Sequence, residues 1–192
     1  MPTVWKPTRE QIAAAYGRQV PDLIAADLKV LFCGINPSLY SAAVGHHFAR
    51  PGNRFWPTLH AAGFTSRLLS PFEEAELLAA GYGISNVVDR ATASAEELDA
   101  EELVTGGRQL AKKVCRFRPR SVAFLGISAY RTAFDNKKAQ PGLQPELLEG
   151  SRVWILPNPS GLNAHYQLPQ LADLFSELRM AVEAGKQTNG QP

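Results

Sequence analysis

Two short loops hold the residues best suited to chemistry. Gly34-Ile35-Asn36-Pro37-Ser38 follows one apolar run and Pro157-Asn158-Pro159-Ser160-Gly161-Leu162-Asn163 follows another, and both are stiff, polar and uncharged. Asn36 stands between a backbone that tolerates close approach and a proline that fixes the next residue. An amide held there can orient a water or a base edge, but it cannot remove a proton, so a reaction it supports must need little base catalysis. The same side chain could equally close an Asx turn. Leu162 reads either as an ordinary exposed turn residue or as an apolar wedge able to enter a base stack.

Asp89 lies just past a third apolar run. Its carboxylate could act as a base toward water or stabilise an oxocarbenium-like sugar, and it could instead pair with Arg90 or cap a turn. Ser85 and Asn86, nearer the end of that run, are further polar candidates. The adjacent His46 and His47 are poorly arranged for a metal, because sequence neighbours point in different directions and no carboxylate lies within a few positions. No metal site is expected.

The elements that must position these loops are four apolar runs, at residues 30–33, 83–88, 122–125 and 153–156. They lack polar alternation, as strands buried on both faces of a parallel sheet do. Helical patterns separate them. Residues 53–62 carry Phe55, Trp56 and Leu59 at helical spacing, with Asn53 as N-cap and Gly63 as stop. Residues 71–80 are followed by Gly81. A pattern from Ser94, boxed with Glu97, runs toward Phe117 and is weakened by Gly106 and Gly107. Residues 128–134 and 168–184 complete the set. The alternation predicts a three-layer α/β/α sandwich around a central, mainly parallel four-stranded sheet. Ligands of such a sheet bind beyond the carboxyl ends of the strands, which is where both loops fall.

Residues 1–26, with a short helical pattern at 10–16, read as an N-terminal extension. Residues 27–185 read as one domain and 186–192 as a flexible tail.

Composition excludes several classes. A chain of 192 residues with 45% hydrophobic and 20% charged residues is too apolar for disorder and large enough to bury about 70% of its unfolded surface. No apolar run approaches the ~18 residues of a membrane span, and no secretory leader is visible, so a cytoplasmic, membrane-free protein is expected, near the nucleoid if the source is prokaryotic. Two cysteines, Cys33 and Cys115, both in apolar stretches, suit buried thiols and are too few for an iron-sulfur cluster. The net charge of +2 conceals a contrast: residues 73–102 hold nine acids against one arginine, whereas 108–120 hold six basic residues and no acid. A generic small-molecule nucleotide enzyme is disfavoured by the lack of a GxGxxG or GxxxxGK[ST] phosphate loop.

Taken together, Gly34-Ile35-Asn36-Pro37, Gly45-His46-His47-Phe48, Pro51-Gly52-Asn53-Arg54-Phe55-Trp56, Val88-Asp89-Arg90 and Asn158-Pro159-Ser160-Gly161-Leu162 resemble the mismatch-specific uracil DNA glycosylase and thymine DNA glycosylase family, within the uracil-DNA glycosylase superfamily. The resemblance runs from about Leu28 to Leu178. It implies a DNA repair enzyme that flips uracil, best opposite guanine and with thymine or etheno-cytosine as further substrates, out of duplex DNA and hydrolyses its N-glycosidic bond to leave an abasic site. It implies no cofactor and a monomer. By the same resemblance Asn36 positions the water and Phe48 stacks on the base. Gly34, Ile35, Ser38 and Ser41 belong to the loop facing the pyrimidine carbonyls, and His47 lies near the 5-methyl pocket or packs a helix. Leu162 is the wedge, flanked by Gly161 and Asn163, with Asn158 and Ser160 near phosphate. Ser38 replaces a common Gly, and Asn163-Ala164 replaces Ser-Arg of the bacterial mismatch enzyme. No Lys stands in these motifs to form a Schiff base, so a monofunctional enzyme is expected. The alternative is a damage-binding protein that flips a base without hydrolysis.

Overall fold

In the computed structural model, which describes residues 5–185, the apolar runs are strands whose alternate residues serve two cores. Val30 and Phe32 of β1 (Val30–Gly34) face one cluster and Leu31 and Cys33 face the other; Ala123 and Leu125 against Val122 and Phe124 repeat this in β3 (Ser121–Leu125). Side chains alternate across a strand, so a sheet covered on both sides must be apolar at every position. Helices α3 (Phe55–Ala61) and α7 (Leu168–Ala184) cover one face, where Phe32 packs edge-on to Phe55 and stacks with Phe175. Helices α5 (Ala100–Phe117) and α6 (Ile127–Ala133) cover the other, through Leu110, Val114, Tyr130 and Ala133.

The sheet has five strands, not four, in the order β2-β1-β3-β5-β4, with β2 at Tyr82–Asn86 and β5 at Ser151–Leu156. The neighbours β2, β1, β3 and β5 pair in parallel. The additional strand, β4 (Gly142–Leu148), is antiparallel to β5 and mostly exposed. Its sequence Gly-Leu-Gln-Pro-Glu-Leu-Leu lacks the continuous apolar character of a central strand, and its register shifts between Leu143 and Leu147, around Pro145. Proline cannot donate to a ladder and is tolerated at such edges. Glu149 and Gly150, both at positive φ (49° and 86°), close the β4–β5 hairpin, as a two-residue primed turn requires.

Two helix boundaries also differ from expectation. The Ser94–Glu97 capping box exists, but it caps an isolated 3-10 turn, Ala95–Glu97, and α5 begins later with its own box, Asp99 with Glu102. Gly106 and Gly107 do not weaken α5; they let it lie against the backbone carbonyls of Val87 and Ala133, where any Cβ would collide. The 71–80 pattern divides into a 3-10 turn, Pro71–Glu73, and α4 (Glu74–Ala79). Asn53 caps α3 from outside, accepting the Phe55 N–H at 2.9 Å.

Part of the N-terminal segment, from Ala15 to Leu23, is docked on the domain. After α1 (Arg9–Ala13), Ala15 and Val20 are buried against Ala42 and Ala91 of the neighbouring α2 (Leu39–Val44) and a following loop. Leu23 then exchanges two backbone hydrogen bonds with Ile84 (2.9 and 2.8 Å), covering the free edge of β2. Edges left open invite foreign strands. Of the two cysteines Cys33 is buried, and burial pushes its thiol pKa up, but Cys115 is exposed, contrary to expectation. Among the described residues no helix is long and apolar enough to cross a membrane. The expected tail, 186–192, lies outside the described residues.

Candidate active site

The carboxyl ends of β1 and β2 and the loop after β5 open on one cavity of about 240 Å³. Gly34, Ile35, Asn36, Ser38, Ser41, His47, Phe48, Asn158, Ser160 and Leu162 all line it. Two distant parts of the chain thus meet at one sheet edge, as parallel topology demands.

Asn36 is held by its amide nitrogen. Nδ2 donates to the Arg90 carbonyl at 3.0 Å and to Thr92 Oγ1 at 2.7 Å. The Thr92 hydroxyl gives its own proton to the Ser94 carbonyl at 2.7 Å, so it can only accept from Asn36. The orientation of the amide is therefore decided, and Oδ1 is the atom left to accept a hydrogen bond in the cavity.

Phe48 supplies a flat apolar wall. It occupies a left-handed backbone conformation, φ 54°, unusual for a bulky residue and costing about 1–3 kcal/mol where surroundings impose it. The surroundings are on both sides. Trp56 Nε1 donates to the His47 carbonyl at 3.2 Å, the Ala49 N–H reaches buried Ser41 Oγ at 3.1 Å, and Phe55 stacks on the Phe48 ring at 4.1 Å between centroids. A base entering the cavity would extend this stack.

Behind the ring lies a second oriented amide. His47 is 2% exposed. Its Nε2 lies 2.9 Å from the Pro21 carbonyl, which can only accept, so Nε2 carries the proton and Nδ1 is bare. Burial lowers the His47 pKa from 6.5 and keeps the ring neutral. Asn86 Nδ2 then donates to Nδ1 at 3.4 Å, turning Asn86 Oδ1 the other way, toward Gly34. A Cβ on Gly34 would sit 2.6 Å from that oxygen and 3.2 Å from the Phe48 ring. Glycine here leaves room for a ligand edge beside an acceptor.

The wedge loop is built from local turns. Asn158 Oδ1 accepts the Ser160 N–H at 2.9 Å, Ser160 Oγ accepts the Leu162 N–H at 3.3 Å, and Asn163 Nδ2 returns to the Asn158 carbonyl at 3.0 Å. Leu162 stands 76% exposed at the tip, more than any other large apolar side chain among the described residues.

The sequence profile of the uracil DNA glycosylase superfamily matches residues 21–180. The chain belongs to that superfamily. Its fold is similar to the solution NMR structure of a candidate uracil DNA glycosylase from Methanosarcina acetivorans, with a TM-score of 0.58 and 17% identity over 85% of this chain and 98% of that one. Membership makes the protein a DNA glycosylase in general terms, with DNA as its partner.

Within this superfamily site, some expected residues take other roles. Asp89 is absent from the cavity wall and lies in a separate cleft, where Lys113 Nζ is 3.2 Å from Asp89 and 2.7 Å from Asp22. Arg90 pairs with Glu102, not with Asp89. The Asp89 carboxylate is thus engaged away from the pocket, and the expectation of a base beside Asn36 is not met. Ser85 also turns to Asp22, at 2.7 Å. The Ser38 hydroxyl caps α2, accepting the Ser41 N–H at 3.1 Å, while the residue still lines the cavity. His46 turns away to Glu74, at 2.9 Å. Gly161 and Asn163 support the loop without lining the cavity. The basic run 108–120 spans the second half of α5 and the turn before β3, and its end reaches the amino end of β1, where the Arg120 N–H donates to the Leu28 carbonyl at 2.8 Å.

Sequence reasoning missed Arg50, Asn53, Thr92 and Glu96, which also line the cavity. Thr92 anchors Asn36, and no spacing pattern announces a contact 56 residues away. Glu96 is concealed by its place inside a capping signature.

Proposed function

We propose that the protein is a monofunctional uracil DNA glycosylase of the mismatch-specific uracil and thymine DNA glycosylase type, acting on uracil flipped from duplex DNA, best opposite guanine. The observation that carries this is the fixed Asn36 amide, whose Oδ1 is aimed at a cavity floored by a stacking ring and flanked by an exposed leucine.

In the proposed reaction uracil enters against Phe48, extending the Phe48–Phe55 stack. Stacking tolerates any base, so selection falls to the polar edge. Asn86 Oδ1 accepts the N3–H of uracil; cytosine presents a bare N3 there, and two facing acceptors exclude it. Asn36 Oδ1 accepts a hydrogen from a water aimed at C1′. As the N1–C1′ bond breaks, the sugar gains oxocarbenium character and the pyrimidine leaves with the bonding pair. Water then adds through its oxygen to C1′ and its proton ends on the released base. An amide suffices because the bond breaks ahead of water's deprotonation. Leu162 fills the space the base vacates, and exposed Arg50 at the cavity mouth meets a flanking phosphate. No lysine lines the cavity, in keeping with hydrolysis without strand scission by a Schiff base.

The test is release of uracil from a duplex with one U opposite G, read as an alkali-dependent break. Wild-type protein is expected to produce the break only after alkali, whereas Asn36→Ala binds the duplex and leaves it intact. No release by wild type at saturating protein would overturn the proposal in favour of base flipping without hydrolysis, and a silent Asn36→Ala substitution would overturn the role given to the Asn36 amide.

A further inference from the structure

The cavity and the wedge loop lie more than a hundred residues apart in the chain, and one side chain joins them. Arg54 opens α3, and its backbone N–H donates to the Pro159 carbonyl at 3.0 Å. Its guanidinium reaches across the loop. Nη2 donates to the Ser160 carbonyl at 2.5 Å and the Asn163 carbonyl at 2.9 Å, while Nη1 donates to the Tyr166 carbonyl. These acceptors bracket Leu162 on both sides. Beside them Gly161 packs so closely that a Cβ would lie 2.5 Å from the Gly52 carbonyl.

The pattern is unusual for an arginine. Among the described residues no carboxylate answers the charge, and Nε is buried without a partner. An uncompensated buried donor is costly, and an arrangement that tolerates it points to a requirement other than stability. The next residue, Phe55, stacks on Phe48. One turn of chain therefore backs the pocket wall with one side chain and holds the wedge with its neighbour.

We infer that Arg54 is a positioning residue that holds Leu162 in register with the base pocket, so that intrusion into the duplex and capture of the extruded base are one rigid event. The inference rests on the reading of the cavity as a base pocket. Only a planar fork meets three carbonyls spread along a loop; an ammonium is a point donor on a flexible stem. A leucine pressed into a base stack is loaded from the outside, and the turns of the loop itself are short side-chain bonds that would yield. Arg54→Lys keeps the charge and loses the span. A misplacement of about 1 Å in such a device costs on the order of 100-fold in rate.

The test uses the full chain and a duplex with 2-aminopurine beside a uracil opposite guanine, which brightens when the stack opens. Wild-type protein is expected to brighten the probe and release uracil. Arg54→Lys is expected to bind undamaged duplex of equal length within about twofold of wild type, because phosphate contacts are untouched. It should brighten the probe no more than Leu162→Ala does and release uracil roughly 100-fold more slowly. The double variant should be no worse than either single one, since both remove the same function. Gly161→Ala, which forces the loop off Gly52 and leaves Arg54 intact, should behave alike and decides the matter if Arg54→Lys does not fold by thermal melting. Full brightening by Arg54→Lys and Gly161→Ala, or additive losses in the double variant, overturns the inference alone. Failure of wild type both to brighten the probe and to release uracil overturns the base-pocket reading, and the inference with it.

Discussion

Asn86 borders two concavities of different electrostatic character. On one side is the cavity above β1 and β2, where Asn36 and Asn86 each have a nitrogen tied down and an oxygen directed inward. On the other is the cleft against α5, where Asp22, Asp89 and Lys113 answer one another. Full charges that satisfy each other have little left for a ligand. Neutral dipoles anchored at one end keep the other available without reorganisation, which is the property that stabilises developing charge. On the proposed reading, the richer collection of titratable groups is the structural one and the amides are the chemical one.

The contrast can be broken from either side. Asn36→Ala should have the largest effect, a loss of about 100- to 1000-fold in single-turnover uracil release with duplex affinity kept within about twofold. Asn86→Ala should cost about 10- to 100-fold, the equivalent of about 1–3 kcal/mol for one hydrogen bond to the base edge, read in the same assay.

A milder perturbation is acid. The folded His47 pKa is lowered from 6.5, so the contribution of neutral His47 to stability is complete above that value and declines as pH falls from 6.5 toward the depressed folded pKa. Once protonated, Nδ1 becomes a donor and Asn86 must present its oxygen to His47, leaving Nδ2 to face the base. Melting temperature should therefore begin to fall below about pH 6.5, uracil release per folded molecule should fall only at the lower pH where the folded ring takes up its proton, and that rate loss should shrink in Asn86→Ala. An acid loss of rate equal in wild type and Asn86→Ala would show that His47 does not set the Asn86 orientation.

The cleft should respond only in stability. Lys113→Met leaves Asp22 half-buried without its cation and should destabilise the fold by about 1–2 kcal/mol in chemical denaturation, with uracil release per folded molecule unchanged. Asp89→Asn, at a more exposed end of the same network, should change neither measurably.

Those expectations reverse one drawn from the residue types alone, and the reason is instructive. The sheet was legible because burial on both faces forces a continuous apolar run, as in β1 and β3. β4 was not, because an edge strand carrying Gln144, Pro145 and Glu146 obeys no such rule. The Asn36 loop, Phe48 and Leu162 were legible because strand-end position, aromatic character and stiff flanks are all local properties. Asp89 was misplaced because two residues, Val87 and Val88, separate it from the end of β2, and a turn in that interval decides which side of the sheet it joins. Thr92 and Arg54 act through contacts with partners 56 to 112 residues distant, at geometries no local pattern encodes.

The strand-like segment beside β2 has a consequence for where the functional unit begins. A boundary drawn at residue 27, where the first strand comes into view, would leave the whole sheet in place and remove the carbonyl of Pro21, which lies 2.9 Å from the His47 ring. The imidazole would then be free to carry its proton on either nitrogen, and Asn86 free to turn with it. Such a truncated protein would lose α1 yet could keep the sheet and the helices that cover it, and on the proposed reading it would still misread its base, because the choice between donor and acceptor at the pocket floor is made by a residue that never touches it.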